Sequence, residues 1–216
     1  MDIYKAREKS YEVLGKTVCK QLNSHGFKAK YLADRGTALK EALKLIPQEA
    51  SVGIPGTVTV REIGLLDSLM ARNSRVFHNW YPNLTKKEQN EMFMKELTSD
   101  WIVMSVNAIA LDKGTLINID GTGNRVGAMS WAPGKLLIIA GINKIASNVH
   151  AAMARARDTA TPANTIRLNL STPCATIGHC MDCDSSDRIC NVTTMLERAP
   201  TGRECHVFIV GEKLGY

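Results

Sequence analysis

Ala50-Ser51-Val52-Gly53-Ile54-Pro55-Gly56-Thr57-Val58-Thr59 runs from a short apolar strand (Ala50–Ile54), through a Pro-Gly turn, toward a helix. Thr59, with Glu62 three residues on, has the spacing of a capping box and marks the start of that helix. A strand handed directly to a helix is the repeating unit of an α/β fold. The sequence on either side repeats it. Upstream, Tyr4, Tyr11, Leu14, Val18 and Leu22 recur at helical spacing, with His25-Gly26 as the stop. A strand over Phe27–Leu32 and a helix over Thr37–Ile46, ended by Pro47, follow.

Downstream, Arg75–Trp80 reads as a strand, and Thr85 with Glu88 forms a second capping box ahead of a helix over Glu88–Leu97. Trp101–Val106 is a continuous apolar strand, and two more strands, Leu116–Ile119 and Leu136–Ala140, flank a helix over Asn124–Ser130. A helix over Asn143–Thr159, a cysteine-rich loop over Thr172–Cys190, a helix over Asn191–Arg198 and a strand over His206–Val210 complete the pattern. Apolar strands between helices predict an α/β fold, a mostly parallel sheet covered on both faces, in one domain over residues 1–216.

Composition narrows the function. The 216 residues, 44% of them hydrophobic, suffice for a core without disulfides. Residues 1–10 mix acidic and basic side chains, and the longest apolar runs, Trp101–Leu111 and Lys135–Gly141, are too short to span a bilayer. The expectation is a cytoplasmic protein with no membrane contact. The net charge of +6 is scattered rather than gathered in a stripe, and aromatics make up 6%, which argues against nucleic acid and leaves an anionic small molecule as a fitting partner.

Two glycine turns are the candidate ligand site. In the first, Gly53, Gly56 and Thr57 let the backbone come close to a ligand where a strand passes into a helix, and free amides there favour an anion. In the second, Asp120-Gly121-Thr122-Gly123-Asn124-Arg125 does the same, with Arg125 adding a fork for a carboxylate or phosphate. In a parallel sheet both turns leave strand carboxyl ends and so share an edge, where open α/β sheets bind ligands. Asn107, after the strand that ends at Val106, reaches the same crevice or satisfies its own turn. Asp120 orients a ligand hydroxyl or caps the following helix.

Six cysteines in a reducing compartment point to metal or redox chemistry rather than structural bridges. Cys174, Cys180, Cys183 and Cys190 lie in seventeen residues spaced Cys-x5-Cys-x2-Cys-x6-Cys, enough to wrap one tetrahedral centre. Thiolate softness suits an iron-sulfur cluster, with zinc as the alternative, and the spacing is neither that of a zinc ribbon nor that of a bacterial ferredoxin. His179 is a substitute ligand or merely exposed. Cys19 and Cys205 stand alone and read as core residues.

Ser51-Val52-Gly53 to Leu65-Leu66, Ser105-Val106-Asn107-Ala108-Ile109, Asn118 to Arg125 and Asn169-Leu170-Ser171-Thr172-Pro173-Cys174 onward together resemble, in order and over most of the chain, the lactate-utilisation (LUD) domain family. The resemblance implies a Rossmann-like sheet similar to that of sugar-phosphate isomerases and CoA transferases. It also implies a place beside iron-sulfur partner subunits that oxidise lactate to pyruvate. CoA transferases carry a glutamate nucleophile on the loop that Ser105-Val106-Asn107 matches, and none stands here, which disfavours covalent CoA transfer.

The leading expectation is therefore an accessory redox protein of organic-acid oxidation, with an anion in the crevice and a metal on the four thiols. An isomerase or acyl-transfer enzyme with a structural metal, and a thiol- or metal-sensing module, are the alternatives. The amphipathic first helix allows a homo-oligomer.

Overall fold

The computed structural model describes residues 2–72 and 75–216. The first half of the chain holds α1 (Ile3–Ser24), β1 (Lys28–Leu32), α2 (Arg35–Leu45), β2 (Ser51–Gly53), α3 (Val58–Glu62), α4 (Leu65–Ala71), β3 (Arg75–Phe77), α5 (Lys86–Leu97) and β4 (Trp101–Met104). The second half holds β5 (Ala108–Ala110), β6 (Thr115–Asp120), α6 (Asn124–Ser130), β7 (Lys135–Gly141), β8 (Ile145–Ala146), α7 (Val149–Arg155), α8 (Thr161–Arg167), α9 (Pro173–Ile177), β9 (Val192–Leu196) and β10 (Cys205–Val210). A 3-10 turn over Ile142–Lys144 joins β7 to β8, and a π turn over Ala156–Ala160 joins α7 to α8.

Local chemistry sets these boundaries. Asp34 accepts the Thr37 amide at 2.7 Å and starts α2, Asn148 accepts the Ala151 amide at 2.9 Å and starts α7, and Thr85 with Glu88 closes both halves of a capping box on α5. Among the described residues, no helix is long and apolar enough to cross a membrane.

Six strands in the order β1-β10-β7-β4-β2-β3 make a wholly parallel sheet flanked by helices, the Rossmann-like arrangement expected from the sequence. One face packs Val52, Val103, Leu137, Ile139 and Phe208 against α2, α3 and α4. The other packs Ile102, Met104, Leu136, Ile138 and Val207 against Val18 and Leu22 of α1 and against Ile109, Leu116 and Met129. That second face carries a second sheet, order β8-β5-β6-β9, whose far side is covered by Ala152 and Ala156.

Leu116–Ile119 is a strand, as expected, but it belongs to the second sheet and not to the parallel one. Gly114, at φ 63°, takes the tight turn after Ala110, so β5 folds back on β6 as an antiparallel hairpin instead of crossing over through a helix. Asn191–Arg198 is likewise a strand, not a helix. β9 pairs antiparallel with the free edge of β6, Leu116 opposite Leu196 and Asp120 opposite Val192, and the β-branched run Val192-Thr193-Thr194 suits a half-exposed pleat.

Two further boundaries move for physical reasons. α3 starts from extended Thr57, not Thr59, because the Thr59 hydroxyl points inward to another partner and Glu62 reaches across to the Gly215 amide at 2.6 Å. The expected helix over Asn143–Thr159 begins only at Val149, since Lys144 is drawn into the core and Ile145-Ala146 pair with β5.

Candidate functional site

Although β6 lies outside the parallel sheet, the two glycine turns meet. The hairpin carries the end of β6 over the carboxyl ends of β2 and β4, so Gly56 and Asn107 face Asp120, Gly121, Thr122, Asn124 and Arg125 across a crevice of about 310 Å³. Asn164 and Arg167 of α8 and Ile189 of the cysteine-rich segment close its far side. A second, smaller cavity of about 40 Å³ lies behind it, lined by Thr57, Thr59, Ser105, Lys144 and Gly215, and it shares Gly56, Asn107 and Arg125 with the crevice. A larger hollow beside Lys86, Asn90, Glu91 and Met94 lies along α5 alone and brings together no polar groups from different elements, so it is not the site.

Within the crevice each residue has a defined role. Asp120 is buried, and its carboxylate accepts the amides of Thr122 at 3.2 Å, Arg125 at 2.7 Å and Val126 at 3.2 Å, so it fixes the second turn and caps α6. Asn107 accepts the Ile119 amide at 2.8 Å through Oδ1 and lines both cavities. Arg125 donates to the Ile119 carbonyl and sits 3.9 Å from Asp120. Its guanidinium is desolvated, which lowers its pKa; the Asp120 charge opposes that effect and Arg167 adds to it.

Gly123 is the left-handed entry residue of α6, at φ 90°, and lines neither cavity. Gly53 also stands away from both. A Cβ there would run into the backbone carbonyl of Glu96, so this glycine is needed for packing β2 on α5 rather than for a ligand.

Lys144, in Ile142-Asn143-Lys144-Ile145, had no sequence signal. It is 4% exposed, and its Nζ donates to Ser105 Oγ at 2.9 Å and Thr59 Oγ1 at 3.2 Å. Burial pushes its pKa down to about 7, with Arg155 and Arg125 adding to the fall and Glu62 working against it. Arg155 in turn donates to the carbonyls of Asn143, at 2.7 Å, and Asn107. The Thr57 hydroxyl, buried in the wall of the small cavity, has no hydrogen-bond partner among the described residues.

The cysteines divide. Cys19 and Cys205 are buried, and burial drives their thiols up to about 12 and about 11. Cys174 is buried at the start of α9 with its sulfur 3.2 Å from the Thr172 hydroxyl and 3.6 Å from that of Thr165. Cys180, Cys183 and Cys190 are half-buried, with Arg188 donating to the Cys183 and Cys190 carbonyls. Burial raises the Cys190 pKa while Arg188 counters it.

Among the described residues, no three His, Cys, Asp or Glu side chains converge to hold a metal ion. Of the four thiols, Cys174 is engaged by two hydroxyls, and Cys180, Cys183 and Cys190 are the more exposed. His179 is exposed. The segment is nonetheless tied to the crevice. Asn191 donates its amide to the Asp120 carbonyl at 3.0 Å and its side chain to the Gly121 carbonyl at 3.3 Å, and Gly121 packs on Ile189.

A parallel sheet whose strand ends open on a cationic crevice defines an α/β protein of the kind that binds ligands at the sheet edge. Within that class the chain belongs to the LUD domain family, whose model matches residues 16–210. A solved structure of a DUF162 family protein from Deinococcus radiodurans is similar in fold, with a TM-score of 0.54 at 12% identity over 93% of this chain and 98% of that one. Comparison with curated proteins returns no match.

Proposed function

We propose that the chain binds a small organic anion in the crevice and acts as an accessory to organic-acid oxidation of the lactate type. The observation that carries this reading is a gathering of positive charge, buried at Lys144 and half-buried at Arg125 and Arg155, beside open volume. Arg125 and Arg155 both lie within electrostatic reach of Lys144, with Glu62 as the opposing charge; exposed Arg167 stands in the crevice wall, and the Asp120 carboxylate is already taken by three amides. Desolvated cations are costly unless an opposite charge joins them, and a bound carboxylate or phosphate supplies it.

Calorimetric titration with lactate, pyruvate and inorganic phosphate tests the reading. Saturable binding is expected for at least one of them, weakened roughly 10- to 100-fold by Arg125→Met, as suits loss of a charged hydrogen bond. Absence of saturable binding, or binding indifferent to that substitution, removes the proposal.

The metal centre on Cys174, Cys180, Cys183 and Cys190, with iron-sulfur partner subunits, is a separate proposal. It requires Cys174 to leave its hydroxyl partners. Iron, zinc and acid-labile sulfide content of anaerobically purified protein decides it, against a Cys180→Ser, Cys183→Ser variant.

A further inference from the structure

We propose that Lys144 forms a covalent imine with a 2-oxo acid whose carboxylate rests on Arg125. The inference builds on the anion-binding reading of the crevice and assigns chemistry to the small cavity behind it. Four observations meet at that cavity. The Lys144 amine is 4% exposed and held toward the cavity by hydrogen bonds of 2.9 Å to Ser105 and 3.2 Å to Thr59. Arg125 stands in the wall of both the cavity and the crevice. The buried Thr57 hydroxyl lacks a partner. Gly56, at φ 39°, keeps the shared wall free of a side chain.

An amine becomes a nucleophile at neutral pH when it is desolvated and set beside other cations. Both conditions hold for Lys144, whose pKa burial and the two arginines lower to about 7. About 40 Å³ is room for a reacting group and not for a whole ligand, so the rest of the molecule must remain in the crevice. A carboxylate on Arg125 with an electrophilic carbon one bond away meets that requirement, and a 2-oxo acid is the simplest molecule that has both.

The step balances without an oxidant. The Nζ lone pair adds to C2, and the carbonyl oxygen takes up a proton to give a carbinolamine. The C2–O bond then breaks, and the oxygen leaves as water carrying the two protons that the neutral amine gives up. Thr59 and Ser105, already hydrogen-bonded to Nζ, are placed to relay those protons, and Thr57 gains the polar partner it lacks. A 2-hydroxy acid has no electrophilic C2, so it occupies the same crevice without reacting.

The test is reductive trapping. The full chain is incubated at neutral pH with pyruvate and cyanoborohydride, then weighed intact and mapped by peptide mass spectrometry. The expected result is one reduced adduct per chain on the peptide that holds Lys144, suppressed by excess lactate and lost in Lys144→Gln. Trapping yield should rise as pH increases through about 7. If Lys144→Gln does not fold, the peptide map of the unaltered chain still assigns the site.

No adduct, or adducts spread over surface lysines, overturns the imine. If lactate still binds in an Arg125-dependent way, the crevice reading survives that result. If lactate, pyruvate and inorganic phosphate all fail to bind, the two readings fall together.

Discussion

Glu96 and Lys144 are both buried ionisable groups in one small protein, yet they have opposite surroundings. Glu96, 2% exposed on α5, has no well-formed hydrogen bond to its carboxylate, and burial pushes its pKa up to about 8, only partly offset by the nearby Asn79 backbone amide. It lines neither cavity, and its own backbone is pressed against Gly53. Lys144 is as deeply buried but has two hydroxyl partners, a cavity and a cluster of cations around it. Burial perturbs both groups. Only the second has open space in which the perturbation can act on a ligand.

The two groups should pull stability in opposite directions with pH. Between 4.5 and about 8 the folded chain keeps a proton on Glu96 that the unfolded chain has lost, so stability falls as pH rises through that window. Between about 7 and 10.5 the folded chain lacks a proton on Lys144 that the unfolded chain holds, so stability rises with pH there. Each arm should have a slope of about 1.4 kcal/mol per pH unit. Urea midpoints measured from pH 5 to 10 should show a minimum near neutrality. Glu96→Gln should remove the falling arm and Lys144→Met the rising one; unchanged profiles would break the contrast.

Steric substitutions sharpen it next. Gly53→Ala should cost about 3 kcal/mol, because its methyl group meets backbone rather than a flexible side chain. Thermal unfolding would read this, and near-neutral behaviour would mean that α5 shifts easily. Gly123→Ala should cost less, about 1–2 kcal/mol, since only left-handed backbone strain opposes it and nothing lies within 4 Å. Its effect on anion binding should be small, as Gly123 borders neither cavity.

The sequence made the parallel sheet legible because continuous apolar strands and caps such as Thr85 and Glu88 are local signals. The hairpin of β5 and β6 escaped notice because three-residue Ala108–Ala110 is too short to show a period. β9 was misread because Leu196 and its neighbours fit a helical spacing, whereas the open edge of β6 decided the outcome. Of the site, Gly56, Thr57 and the turn from Asp120 to Arg125 were visible as glycine turns after strands and Asn107 as a strand-end amide, and all but Gly123 line one or both of the two cavities. Lys144 was not, because its importance comes from what surrounds it: Thr59 and Ser105 lie 85 and 39 residues away.

The strand order also bears on how the chain comes to be folded. β10, formed from Cys205–Val210, lies between β1 and β7, and β1 pairs with nothing else in the main sheet. As the chain leaves the ribosome, the segment over Lys28–Leu32 must therefore wait for a strand made 178 residues later, Lys28 pairing with His206. Until then the edge of β1 stays open, so the main sheet closes only through a pairing of high sequence separation, the kind that slows folding.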